Sequence, residues 1–199
     1  MLQPSNLRDY QREAVLHQLY HDKSMLWLGC GRGKTPITLT TVEHRMRAGQ
    51  VKKVLVFGPV RVIHAVWERE ARKWGHTRNL RFSIIGWPSE DKRIRGIEAD
   101  ADIYLCNYEN MGWLSNYLTH YYVNQGKPLP FDMVVYDEVT NCKNSTSQRI
   151  GGGTRTTNRG KPNEKKIRIA GWRDLIPLFK YATGLTGTPS SNGYIDLHG

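Results

Sequence analysis

The sequence predicts an α/β fold in which a mostly parallel central sheet is covered by helices on both faces. Two observations lead to this fold class. Short apolar runs rich in β-branched residues alternate with amphipathic stretches of helical period, as in repeated βα units. The apolar runs are nearly continuous, which is typical of parallel strands buried on both faces. With 199 residues, the chain is long enough to bury the core of one such domain.

The positions of strands and helices follow from this alternation. The apolar runs predict strands at residues 25–28, 54–57, 81–85, 103–106, 133–136 and 182–185. The amphipathic stretches predict helices at residues 7–20, 34–46, 62–74, 110–121 and 174–180. Three tryptophans in these elements are predicted to pack in the core: Trp27, Trp67 and Trp74.

One segment, residues 143–168, interrupts the alternation. It contains eight basic residues, a single acid and a run of three glycines, with few large apolar side chains. Such a composition cannot bury a core, so we expect a flexible basic insertion, either a loop or a hairpin, at about residues 143–170.

The charge of the chain favours a polyanionic partner. Twenty-nine Lys and Arg residues against 18 Asp and Glu residues give a formal net charge of +11. An excess of this size favours nucleic acid over an acidic small molecule. Contacts to phosphates would make the binding sequence-independent and sensitive to salt.

Cysteine usage and hydropathy indicate a cytoplasmic protein that does not contact a membrane. The three cysteines, Cys30, Cys106 and Cys142, have neither paired metal-ligand spacing nor the density of a disulfide-rich domain. No apolar run approaches the ~18 residues of a membrane-spanning helix, and the chain does not begin with a secretory signal pattern.

The strongest local signal is the segment LWLGCGRGKT, in which glycines follow a predicted strand and a helix begins at Lys34. Backbone N–H groups of such a loop can surround phosphate oxygens, and Gly31 and Gly33 allow the close approach. Lys34 would reach the terminal phosphates and Thr35 would bind magnesium. The general phosphate-loop pattern has a further glycine where this chain has Leu28.

A pair of acids follows the predicted strand at residues 133–136. Ligands of open α/β sheets bind at the carboxyl ends of strands, where Asp137 and Glu138 would lie. Asp137 would hold the magnesium ion, and Glu138 would orient or deprotonate the attacking water. Together with Lys34, these acids predict a site that binds and hydrolyses ATP.

These segments resemble the motifs of superfamily-two helicases and, among them, those of Swi/Snf-type DNA translocases. Six segments follow the order of that family: LRDYQREAV, GCGRGKT, GPVRVIHAVWEREARKW, LCNYENM, YDEVTNCKNSTSQR and LTGTPSSNGYIDLHG. The resemblance covers nearly the whole chain. It implies that residues 1–199 form a RecA-like P-loop NTPase lobe, the helicase ATP-binding domain.

The resemblance also implies roles for individual residues. Gln11 would read the adenine base, and Thr186 and Thr188 would couple the nucleotide state to the nucleic-acid surface. The nucleotide-binding residues would be Gln11, Gly31, Arg32, Gly33, Lys34 and Thr35. The catalytic residues would be Lys34, Asp137 and Glu138, with Thr35 and Asp137 as magnesium ligands. Candidates for contact with nucleic acid, duplex DNA rather than single strands or RNA, are Arg61, Asn107, Lys143, Arg155, Arg159 and Lys161.

The sequence departs from the family pattern in two respects. The fourth position of the DEVT segment is Thr140, where the family usually has histidine or aspartate. The later motifs, which belong to a second RecA-like lobe, do not occur in these 199 residues. Because that lobe supplies an arginine finger worth ~10³–10⁵ in turnover, we expect the chain alone to bind ATP weakly and hydrolyse it very slowly.

Two other functions are compatible with the sequence. Another P-loop enzyme such as a kinase would share the glycine loop, although the TGTP segment argues against it. A non-catalytic DNA-binding module could keep the fold without the activity, and Thr140 leaves that alternative open. Within the helicase interpretation, both strand unwinding and translocation fit the motifs.

Overall fold

The computed structural model describes residues 1–139 and 171–187, together with the backbone of two strands in the intervening segment. The strands are β1 Lys23–Trp27, β2 Val54–Gly58, β3 Phe82–Ile84, β4 Ile103–Asn107, β5 Met133–Asp137, β6 Gly153–Thr157, β7 Lys165–Ile169 and β8 Tyr181–Thr186. The α-helices are α1 Asp9–Tyr20, α2 Lys34–Arg47, α3 Val60–Ala65, α4 Trp67–Lys73, α5 Glu90–Glu98, α6 Met111–Tyr121 and α7 Trp172–Leu175. Short 3₁₀ helices occur at Pro4–Asn6, Tyr108–Asn110, Val123–Gln125 and Ile176–Leu178.

Six of the strands form one sheet in the order β1-β8-β5-β2-β4-β3, and every neighbouring pair is parallel. Parallel neighbours need crossover connections, which the helices supply on both faces. The predicted α/β fold with a parallel central sheet is therefore confirmed. All six predicted strands are present, each within two residues of its predicted ends.

The two faces of the sheet pack against separate hydrophobic clusters. In the central strand β2, Val54 and Val56 belong to the cluster that includes residues of α1, α2 and α4. Leu55 and Phe57 belong to the cluster that includes residues of α6 and α7. All four side chains are fully buried, which explains why this strand reads as a continuous apolar run.

The tryptophans differ in their packing. Trp67 and Trp74 are buried as predicted, with exposed fractions of 0% and 5%. The prediction of core packing is wrong for Trp27, which is 59% exposed. Trp27 lies on β1 at the edge of the sheet, and Met25 on the same face of that strand is also exposed, so this face is open to solvent.

The helix predictions hold in part. Residues 62–74 form two helices, α3 and α4, separated at Val66 in a segment whose many β-branched residues disfavour one continuous helix. The helix expected at 174–180 begins earlier, as α7, and Pro177 lies in the 3₁₀ turn that follows it. No helix is predicted where α5 lies, because its sequence is highly polar and contains Gly96. Among the described residues, no helix combines the length and hydrophobicity that crossing a membrane requires.

The basic insertion contains an antiparallel pair of strands. β6 and β7 pair from Gly153 opposite Ile169 to Thr157 opposite Lys165, and they form a sheet of their own. Of the loop and the hairpin expected here, the backbone therefore shows the hairpin. The limits of the insertion at 143–170 stay a prediction.

Gly96 is required by the close approach of α5 to β3. A Cβ atom at this position would lie 2.5 Å from the carbonyl oxygen of Ile84, and the Ser83 hydroxyl already donates a hydrogen bond to the Gly96 carbonyl (2.7 Å). Alanine ordinarily stabilises a helix by ~1 kcal/mol relative to glycine. Here Gly96→Ala should instead destabilise the domain by ~1–3 kcal/mol, because the backbone must shift. Thermal unfolding measures this against the exposed neighbour Arg95→Ala, and a Tm at or above that of the wild type would contradict the packing argument.

Candidate functional site

The carboxyl ends of three neighbouring strands meet at one edge of the sheet. β8 pairs with β1 on one side and with β5 on the other. Hydrogen bonds continue past the strands, since the Leu28 N–H donates to the Thr186 carbonyl (3.1 Å) and the Val139 N–H donates to the Leu185 carbonyl (2.9 Å). The glycine loop after β1 and the acids after β5 therefore flank the end of β8.

Two glycines shape the loop between β1 and α2. Gly31 and Gly33 have φ angles of 73° and 81°, in the left-handed region that glycine adopts without strain. Gly33 caps α2, and the first N–H groups of a helix have no partner within it, so they are available to an anion. A Cβ atom on Gly33 would overlap Nε2 of Gln11, so glycine also permits the packing of the loop against α1.

Lys34 begins α2, and its ammonium group lies inside the loop. Nζ donates hydrogen bonds to the carbonyl oxygens of Leu28 (2.9 Å) and Gly29 (3.4 Å). A Cβ atom on Gly187, just after β8, would lie 3.4 Å from Nζ, so this glycine keeps the space beside the ammonium free of a side chain. Thr35 follows, half-buried in the first turn of α2. These groups have the arrangement that a phosphate and its metal ion require.

Asp137 ends β5 with only 8% of its surface exposed. Its Oδ2 accepts a hydrogen bond from Nε1 of Trp67 (2.9 Å), and its backbone carbonyl accepts one from the hydroxyl of Tyr108 (2.9 Å). Burial raises the pKa of Asp137 above its ordinary value, against the opposing effects of the Trp67 hydrogen bond and the Lys34 charge. The carboxylate is thus fixed in place and poorly solvated, a state that a divalent cation would stabilise.

Glu138 has a strained backbone. It is the one non-glycine residue with a positive φ (61°) in the described part of the chain, a conformation that costs of order 1–3 kcal/mol. Its Oε1 accepts a hydrogen bond from the hydroxyl of Thr186 (3.3 Å), which is itself buried. A direct contact therefore joins the candidate catalytic acid to the end of β8.

The start of α1 contacts the outer side of the glycine loop. Nε2 of Gln11 and the hydroxyl of Tyr10 donate hydrogen bonds to the Arg32 carbonyl, at 3.2 and 3.1 Å. Oε1 of Gln11 accepts a hydrogen bond from the N–H of Arg8 (2.9 Å). Gln11 therefore lies beside the phosphate loop, and its role as the adenine reader stays a prediction, as does nucleotide contact by Arg32.

The described candidates for nucleic-acid contact lie at the same edge of the sheet. Arg61 is exposed in α3, directly after β2. Asn107 ends β4 opposite Gly58, but it is only 7% exposed and its amide donates a hydrogen bond to Oε2 of Glu109 (2.7 Å). Arg61 is open to a phosphate backbone, whereas the amide of Asn107 is engaged within the chain.

Several predicted positions lie outside the described residues. They are Thr140, Lys143, Arg159, Lys161, Thr188 and the side chain of Arg155, whose backbone belongs to β6. Their roles stay predictions.

The sequence does not predict that Trp67 and Tyr108 hold Asp137. A buried tryptophan or tyrosine usually finds a partner for its polar group, so the residue types are a signal that such bonds exist. Only the packing of α4 and of the segment after β4 against β5 shows that the partner is Asp137.

The oxygen donors of Thr35 and Asp137 suit a hard divalent cation. Among the described residues, no group of three or more His, Cys, Asp or Glu side chains is placed to hold a metal ion. Magnesium commonly takes one or two protein oxygens and completes its coordination with substrate phosphates and water. The sparse donor set therefore fits a magnesium ion that arrives with a nucleotide.

The parallel sheet, the glycine loop and the strand-end acids define a RecA-like lobe of the superfamily-two helicase kind. Residues 4–191 match the family described as "Type III restriction enzyme, res subunit", and the chain belongs to this family. It is also similar to protein p41 of Acyrthosiphon pisum secondary endosymbiont phage 1, with 35% identity over 195 residues. That match covers 96% of this chain and 37% of p41, so the chain spans little more than a third of that relative.

Solved helicase structures share the fold. The Sulfolobus solfataricus SWI2/SNF2 ATPase core in complex with dsDNA matches with a TM-score of 0.65 and 24% identity, over 97% of this chain and 34% of that one. A second structure of this core domain matches with a TM-score of 0.59 and 20% identity, over 96% and 33%. The UvsW helicase from bacteriophage T4 matches with a TM-score of 0.65 and 13% identity, over 96% and 56%. The resemblance to superfamily-two helicases is confirmed.

Asp137 is expected to lower the stability of the nucleotide-free chain. Because the pKa of Asp137 is raised in the folded state, the folded chain binds more protons than the unfolded chain once the pH exceeds the ordinary value of 3.8. The free energy of unfolding therefore falls as the pH rises from 3.8 through the raised pKa, and it stays lower at pH 7. Asp137→Asn should therefore raise Tm at pH 7, by ~2–4 °C for each kcal/mol of desolvation removed. The amide oxygen can still accept the Trp67 hydrogen bond.

Thermal unfolding without nucleotide or magnesium checks this expectation. Asp22→Asn, at an exposed position just before β1, removes the same charge without relieving burial and serves as the control. A Tm for Asp137→Asn below that of both the wild type and the control would show that the buried charge stabilises the fold.

Proposed function

We propose that the chain is the ATP-binding lobe of an ATP-dependent DNA helicase or translocase. The observation that carries the proposal is the convergence of Lys34, in its glycine loop, with the Asp137 and Glu138 pair across the end of β8. The burial of Asp137 and the strained backbone of Glu138 lower stability, and such costs are common where function requires them.

Each part of the site has a task in this proposal. The loop glycines let backbone N–H groups approach the phosphates, and Lys34 exchanges its bonds to loop carbonyls for bonds to the terminal phosphates. Thr35 and Asp137 hold magnesium, which when bound offsets the charge that develops on the transferred phosphoryl group. Glu138 orients the attacking water or accepts its proton.

Thr186 is proposed to transmit the nucleotide state to the rest of the lobe. Its hydroxyl bonds to Glu138 while its carbonyl bonds to the glycine loop at Leu28. A movement of Glu138 during hydrolysis therefore acts on the residue that also anchors the loop. A hydroxyl can switch hydrogen-bond partners without a large displacement, which suits it to this role.

DNA is proposed to lie along the ends of β2 and β4, near Arg61. Arg61 is exposed at this edge, and the net charge of +11 favours a polyanion. One matched structure is a SWI2/SNF2 core in complex with dsDNA, which supports a duplex as the partner.

A second RecA-like lobe is proposed to complete the catalytic site. The chain spans 34% and 56% of two of the matched structures, so it corresponds to one part of such proteins. An arginine finger from a partner lobe is worth ~10³–10⁵ in turnover in P-loop enzymes. The 199 residues alone should therefore bind ATP and turn it over slowly.

ATP binding and turnover test this proposal. In the presence of magnesium, with and without duplex or single-stranded DNA, the wild-type chain should bind ATP and hydrolyse it very slowly. Lys34→Ala should abolish both, because it removes the charge that meets the terminal phosphates. Lys52→Ala, an exposed lysine before β2 at the opposite end of the sheet, should change neither.

Three outcomes would contradict parts of the proposal. ATP binding that is unaffected by Lys34→Ala would reject the phosphate site. Fast turnover by a confirmed monomer, abolished by Lys34→Ala, would reject the need for a second lobe. DNA binding without any ATP binding would favour a non-catalytic DNA-binding module.

The basic insertion is proposed to contact DNA phosphates. Replacing four of its basic residues by alanine should reduce the slope of log K against log salt by ~0.9 for each phosphate that the variant no longer neutralises. These residues are Lys143, Arg155, Arg159 and Lys161. The control variant changes four exposed lysines near the amino ends of the main-sheet strands: Lys23, Lys52, Lys127 and Lys180. Fluorescence anisotropy with duplex DNA over a salt series compares the two variants, and equal slopes would exclude a specific role of the insertion.

A further inference from the structure

β1 is an edge strand with one buried and one open face. Leu26 is 6% exposed and packs in the core, whereas Met25 and Trp27 on the opposite face are 55% and 59% exposed. An indole ring in water forgoes the hydrophobic stabilisation that its burial would give. Large exposed apolar groups of this kind commonly mark a binding surface.

Trp27 lines an open pocket beside the glycine loop. The pocket has a volume of about 350 Å³ and is lined by Tyr10, Trp27, Leu28, Gly29 and Arg32. This volume lies within the range of small-molecule sites, ~300–1,000 Å³. The Lys34 ammonium is hydrogen-bonded to the carbonyls of Leu28 and Gly29, so the pocket adjoins the part of the loop that would hold phosphates.

We propose that the indole ring of Trp27 stacks on the base of the bound nucleotide. The base would enter the pocket between the indole ring and the side chain of Tyr10. The inference rests on the proposed function, because it places the phosphates of the same molecule at Lys34. Tryptophan suits the task, since its broad ring offers a large apolar face at a small entropic cost.

Hydrogen bonds around the pocket favour stacking over recognition of the base edge. The Tyr10 hydroxyl and Nε2 of Gln11 both donate to the Arg32 carbonyl, and Oε1 of Gln11 accepts from the N–H of Arg8. The Tyr10 hydroxyl and the Gln11 amide are therefore engaged within the chain, while the indole face is open. Every base has a π-face, so stacking tolerates different bases.

The experiment measures the affinity of the full chain for the magnesium complexes of ATP, GTP and inorganic tripolyphosphate. Comparing them separates the contribution of the base to binding from that of the phosphates. In the wild type, both nucleotides should bind more tightly than tripolyphosphate. Trp27→Ala should weaken ATP and GTP binding about tenfold and leave tripolyphosphate binding unchanged, because the base no longer stacks on an aromatic ring. Trp27→Phe should keep most of the nucleotide affinity.

Met25→Ala is the matched control. Met25 lies on the same open face of the same strand, two positions from Trp27, and does not line the pocket. The Met25→Ala variant should bind all three compounds with the affinity of the wild type. Tryptophan emission adds an independent readout, since ATP should quench the wild type more than it quenches Trp27→Phe.

Two results would overturn the inference alone: ATP affinity unchanged in Trp27→Ala, or an equal loss of ATP and tripolyphosphate affinity, which would show a structural effect on the loop. A wild-type chain that binds neither ATP nor tripolyphosphate would overturn the proposed function, and the inference with it.

Discussion

Parallel pairing of β1, β8 and β5 is the constraint on which the candidate site depends. Because the three strands run in one direction, their carboxyl ends open at a single edge, with neighbours ~4.8 Å apart. Lys34, Thr186 and Asp137 are distant in the sequence, yet each follows or ends one of these strands. Register matters as much as direction, since a slip of one residue in β8 would turn Thr186 to the other face of the sheet and away from Glu138.

Two residues of the site adopt states that disfavour folding, and neighbouring side chains hold one of them in place. Asp137 is buried with a raised pKa, and Glu138 adopts a backbone conformation that non-glycine residues avoid. Trp67 and Tyr108, both nearly inaccessible to solvent, hydrogen-bond to Asp137 and fix it. The sheet packs against one large hydrophobic cluster on each face. These clusters stabilise the fold enough to offset the destabilising features of the site.

Much of this architecture could be predicted from the sequence because its signals are local. Apolar runs mark all six strands of the main sheet, and the glycines before Lys34 mark the loop. The remainder depends on tertiary packing. A short apolar run has the same sequence pattern in a central strand and in an edge strand. The prediction that Trp27 packs in the core is wrong for this reason. Helix propensity alone disfavours α5, because the segment contains Gly96. In the folded chain, that same glycine lets α5 pack closely on β3.

The hydrogen bonds of Asp137 also suggest how DNA and nucleotide could act on each other in the proposed motor. Trp67 begins α4, which follows the helix that carries Arg61, and Tyr108 directly follows Asn107 at the end of β4. Both elements on the proposed DNA side therefore donate a hydrogen bond to the proposed magnesium ligand. A shift of either element on DNA would change how Asp137 is held, and a cation at Asp137 would restrain both elements in return, since such coupling is reciprocal. This route is separate from the contact between Thr186 and Glu138, which joins two parts of the proposed nucleotide site.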